Sequence, residues 1–159
     1  MRKLVSLLTL AVVLALPAST FAANTSGTVS ESGTAAVSVS ATIPTSASYT
    51  LTNTTFNATI PVSAISSTFS GGLTMTATPN SGGSNVFDPT KRAIAATGTG
   101  WTATPGAATE GYWSTASSKP IASRSGDASS DSVSLASSVR VTTAGSYTGT
   151  LQIVITTTN

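Results

Sequence analysis

The chain has 159 residues, of which 40% are hydrophobic and only 8% charged, with seven Lys or Arg against five Asp or Glu and a formal net charge of +2. Two of the basic residues are Arg2 and Lys3, so the chain beyond them is neutral and lacks the basic surface that nucleic-acid binding requires. Cysteine and histidine are both absent, which removes disulfides, Cys-His metal sites, thiol nucleophiles and Ser-His-Asp chemistry together.

Met1 to Ala22 opens on Arg2-Lys3, continues through the apolar run Leu4 to Leu16, turns at Pro17 and ends Thr20-Phe21-Ala22. A basic start, a short apolar segment and small residues before a cut site are the pattern of a secretory signal peptide, with cleavage expected after Ala22. The alternative, a retained membrane anchor, would need a longer apolar stretch. Subtracting 22 residues from 159 leaves 137, enough for one domain and no membrane span. With so little charge, Ser, Thr, Asn and Gly must keep its surface wet, a composition that suits exported β-proteins.

Residues 23–33 are mostly Ser, Thr and Gly with a lone Val29 and read as a flexible leader to a domain over 34–159. Ala35, Val37, Val39, Ala41 and Ile43 alternate with small residues until Pro44, giving the first strand. It can close its own sandwich or be donated to the open edge of a neighbour. Tyr49–Thr52 and Asn57–Ala64 are shorter strands, the second containing Pro61. Leu73, Met75 and Ala77 form the next, between Gly71-Gly72 and Pro79-Asn80. A surface loop follows from Pro79 to Pro89, with Lys91-Arg92 read as a solvated turn. Arg92–Thr97 and Gly100–Thr104 are two more short strands, with weak ones near Tyr112 and Ile121.

At the C-terminus Val133, Leu135, Val139 and Val141 share one face, and Tyr147, Leu151, Ile153 and Ile155 share another. The glycine-containing connection between these segments suggests an antiparallel hairpin. No segment of the presumed domain has a helical period. The expected fold is all-β: a single immunoglobulin-like antiparallel β-sandwich of about 7–9 short strands.

Candidate sites are few. Trp101, Trp113 and Tyr112 could present an aromatic platform to a glycan, although a Trp on an alternating strand is more often core. Tyr147, just after Gly145, reads as a corner tyrosine bonding back to the backbone. Asp88, Asp127 and Asp131 lack the dense spacing of a Ca²⁺ loop, and no metal or cofactor is expected. Glu110 with Asp127 or Asp131 is the one carboxylate pairing to consider for glycoside cleavage, and nothing in the spacing favours it. No catalytic residue is assigned. Asn24, Asn53 and Asn57 begin Asn-x-Ser/Thr sequons.

Gly100-Trp101-Thr102-Ala103-Thr104, followed by Ala144-Gly145-Ser146-Tyr147-Thr148-Gly149-Thr150-Leu151, resembles the paired motifs of the WxL domain. Tyr147 and Leu151 match its second motif, where Gln152, Ile153 and Ile155 replace Thr, Trp and Leu; Trp101 matches the first, with Ala103 in place of Leu. The resemblance implies a β-sandwich exported to a Gram-positive surface and held non-covalently to the cell wall or to partner surface proteins. The same C-terminal segment also resembles spore-coat-U-like and chaperone–usher pilin subunits. That implies the alternative role, a structural subunit of a filament, pilus or coat that self-assembles by strand addition. Either way the expectation is a non-enzymatic protein outside the cell.

Overall fold

Alternation of apolar with small polar residues gives each strand one face that water disfavours, and two such faces hide by stacking. The computed structural model describes residues 24–25, 38–68, 70–80, 86–114 and 117–158. The expected signal peptide, most of the leader and Ala35 to Val37 of the first expected strand lie outside these residues.

The described residues form ten strands: β1 (Asn24–Thr25), β2 (Val39–Thr42), β3 (Thr50–Thr52), β4 (Thr55–Ser67), β5 (Leu73–Asn80), β6 (Arg92–Thr97), β7 (Trp101–Ala103), β8 (Lys119–Arg124), β9 (Ala128–Arg140) and β10 (Thr150–Thr157). One sheet runs β1-β10-β5-β8-β7 and the other β2-β4-β9-β6, with β3 also on β4. All strand pairs are antiparallel, as expected for a two-sheet sandwich. The described residues contain no α-helix, and none of their helical segments is long and apolar enough to cross a membrane.

The core is the sum of the inward faces. Val62, Ile65, Leu135 and Ile94 come from one sheet and Leu73, Met75, Ile121 and Ile155 from the other, all buried. Two strands are longer than alternation alone indicates, because each carries a bulge. Val62 faces Val133 and Ile65 faces Asp131, so two residues of β4 oppose one of β9. Ala64 takes φ 51° there, and Ser130 takes φ 61° at the matching irregularity in β9. The extra residue resets parity, and Ile65 returns to the core instead of pointing at solvent. Pro61 lies mid-strand, within the stretch of β4 that neither β2 nor β3 pairs, so its missing N–H leaves that flank of the ladder undisturbed.

The expected C-terminal hairpin is not formed. Strand β9 already has β4 on one side and β6 on the other, which leaves it no free edge. The chain therefore crosses to the opposite sheet after Arg140 and pairs β10 with β5 instead. Tyr147 precedes that strand, and its hydroxyl donates to the Thr143 carbonyl at 2.9 Å, the corner geometry expected of it. Pro79 and Asn80 are likewise strand residues, opposite Leu151 and Thr150, and do not form a turn. No strand forms at Tyr112.

Candidate functional site

The aromatic residues expected to form a platform do not form one. Trp101 is buried, and its Nε1 donates to Asp131 at 3.0 Å. Asp131 also pairs with Arg124 at 2.7 Å, tying β7 and β8 of one sheet to β9 of the other. Gly100 makes room for that arginine: a Cβ would lie 2.3 Å from Nη1 of Arg124. Trp113 is 1% exposed, with Tyr112 packed edge-on against it, and the Tyr112 hydroxyl donates to the Pro120 carbonyl. These three are core and strut residues. The outer face of the β3-β4-β9-β6 sheet has a shallow depression, but residues such as Ala93, Ala95, Ala136 and Ser138 line it and no ring offers itself to a sugar.

The carboxylates are also dispersed. Glu110 is held by Arg140 at 2.7 Å, and the hydrogen bonds from that guanidinium, then its charge and that of Lys91, keep the carboxyl below its ordinary range. Asp88 accepts from Thr90 at the start of a 3₁₀ turn, Pro89–Lys91. Among the described residues no three acids gather where a metal could be held.

What the sequence reading placed in solvent is the most unusual group in the interior. Arg92 is 2% exposed, because Arg92, Ile94 and Ala96 share one side of β6 and that side faces the core. Its Nη1 donates to the Tyr49 hydroxyl at 2.9 Å and to Ser137 Oγ at 3.0 Å. The guanidinium carbon lies 6.0 Å from the Tyr49 ring centroid and 5.7 Å from that of Phe87. No carboxylate among the described residues pairs with it, and Nε has no hydrogen-bond partner. Burying an arginine without a counter-charge is costly, and neutral donors and rings compensate only in part.

Tyr49 also donates to Ser137 Oγ at 3.0 Å, so removing the guanidinium does not orphan either hydroxyl. Arg92→Met keeps the aliphatic stem and is expected to stabilise the domain by roughly 1–2 kcal/mol in denaturant unfolding. A loss of similar size would mean that the ring and hydroxyl contacts outweigh the desolvation of the charge.

Arg92 lines a cleft of about 190 Å³ between the sheets, together with Tyr49, Ile60, Phe87, Leu151 and Ile153. Phe87 packs against Tyr49, Phe56 and Tyr147 with ring centroids 5.0–5.9 Å apart, closing the end of the sandwich. Tyr147 and Leu151 are thus close to the cleft, while Trp101, Tyr112 and Trp113 belong elsewhere. The cleft opens beside the outer edge of β10. Strand β10 pairs with β5 from Thr150 to Thr157, but on its other side only Ile155 and Thr156 have described partners, Thr25 and Asn24. On the facing sheet β3 pairs residues 55–57 of β4 and β2 pairs residues 63–67, and among the described residues none pairs 58–62 on that flank. The chain between β2 and β3 contributes Pro44 to Ala47 to the cleft.

Comparison with models of protein families, with curated proteins and with solved structures finds no match to this chain. The likeness to the WxL domain accordingly rests on Trp101, Tyr147 and Leu151 in the sequence.

Proposed function

We propose that the chain is an exported, non-enzymatic structural subunit of a cell surface, which assembles by adding a strand from one copy to the β10 edge of the next. The observation that carries this reading is the β10 edge itself. Among the described residues, 150–154 have a strand partner on one side only, and Thr150, Leu151 and Ile153 line a cleft of mixed polar and apolar walls. Unpaired N–H and C=O groups along a strand are a template for another strand, and the alternate side chains of that strand would fill the cleft. The apolar start of the chain supports export.

Wall binding by a WxL-like domain is the competing role, and it loses its best reagents when Trp101 and Trp113 are core. Removing residues 23–37 separates the two. Because β2 keeps its pairing with β4, the shortened chain is expected to remain a soluble monomer that unfolds cooperatively, while the mature chain polymerises. Sedimentation velocity on both proteins is the measurement. A shortened chain that still polymerises would sink the proposal, and a mature chain that stays monomeric but sediments with purified cell walls would favour the competing role.

A further inference from the structure

We propose that the cleft at Arg92 is a binding site for a small carboxylic acid with an apolar body, the carboxylate meeting the guanidinium and the body lying against Ile60, Leu151 and Ile153. This goes beyond strand addition and does not depend on it.

Arg92 is 2% exposed, and no carboxylate among the described residues pairs with it. Both of its hydrogen bonds among those residues leave from Nη1, to Tyr49 and Ser137, and Nε is buried with no partner. A cation in that state costs stability, and Tyr49 and Ser137 bond each other without it. Folding alone therefore gives no reason for an arginine at this position. A ligand that brings the missing negative charge does, because the planar fork of a guanidinium offers parallel donors to two carboxylate oxygens.

The cleft fits such a ligand in access, charge and size. Ile60, Phe87, Arg92 and Ile153 in its wall are buried, whereas Thr45 to Ala47 and Gly149 to Thr150 are exposed, so it runs from solvent to the guanidinium. Among the described residues that line it Arg92 alone is charged, which favours one negative charge over the two of a phosphate. Its volume is about 190 Å³. An apolar cavity of about 150 Å³ admits benzene, while drug-sized ligands fill about 300 Å³ or more, so the occupant is one ring or a short chain with its head group. Tyr49 and Phe87, with ring centroids 5.0 Å apart, add aromatic surface to the wall.

A bound acid and the side chains of an added strand would share this space, so binding is read on the monomer. NMR titration of the purified chain, at a concentration where sedimentation shows it monomeric, uses phenylacetate and hexanoate as probes, with phenylacetamide and inorganic phosphate as controls at equal ionic strength. Saturable shifts of the Tyr49, Gly149 and Leu151 amides are expected with both acids, and binding about tenfold or more weaker with the amide and with phosphate. Arg92→Met, which is expected to fold, should lose the preference for phenylacetate over its amide. No saturable shift with either acid overturns the proposal, as do equal affinities for phenylacetate and phenylacetamide, binding of phosphate as tight as that of the acids, or an unchanged preference in Arg92→Met. The amide comparison needs no variant and decides the matter even if Arg92→Met fails to fold. Lack of polymer at higher concentration would defeat strand addition and leave this result untouched, and lack of binding would leave strand addition standing.

Discussion

Trp113→Ala is expected to destabilise the domain by about 3–5 kcal/mol, the usual range for deleting a buried indole. Trp113 precedes β8, is 1% exposed and belongs to the cluster that includes Trp101, Ala107, Ile121 and Ala122. Its removal would leave a void bounded by strand residues that cannot collapse without breaking their ladders. Trp113→Phe should cost far less, because the indole Nε1 is buried without a hydrogen-bond partner and replacing the indole removes that unsatisfied donor. Denaturant midpoints of the two variants provide the check. If Trp113→Ala unfolded close to the parent, the residue would be a surface group and the glycan platform would return.

Ile153→Ala is expected to cost about 2–5 kcal/mol, and Leu151→Ala clearly less in the isolated domain. Both face the same way on β10, but Ile153 is 4% exposed while Leu151 only packs on the core from its margin. In the polymer the ranking should narrow, since an added strand would cover Leu151. Equal costs in the isolated domain would show that the margin of the cleft is already filled.

The sandwich is legible in the sequence wherever alternation is unbroken, as at Leu73, Met75 and Ala77 or at Val133 and Leu135. The boundaries fail where parity is reset. The Ala64 bulge separates Ile60 and Val62 from Ile65 by an odd step, so the alternation breaks inside β4, and Ser130 hides the start of β9 in the same way. Pairing is less legible than strand existence. The segment between Val141 and Tyr147 looks like a hairpin loop, yet which sheet receives β10 depends on β4 and β6 having occupied both edges of β9, a property of distant segments.

The cleft is the least legible feature. Its parts, Tyr49, Ile60, Phe87, Arg92 and Leu151, come from five separate stretches. Arg92 sits in phase with Ile94, which was the available signal, but a cation is ordinarily assigned to solvent because burying it costs so much. Phe87 sits within an expected loop, and only the bridge of Val86 to Thr148 carries it into the sandwich. Exposed rings recognise glycans, but Trp101 and Trp113 are buried and their area stabilises the core.

Polymerisation of the mature chain through its N-terminal segment is tested most directly by electron microscopy of the purified protein over a range of concentrations. Filaments or extended assemblies that lengthen with concentration, and that vanish when residues 23–37 are removed, are the predicted result. Single, monodisperse domains at every concentration would contradict it.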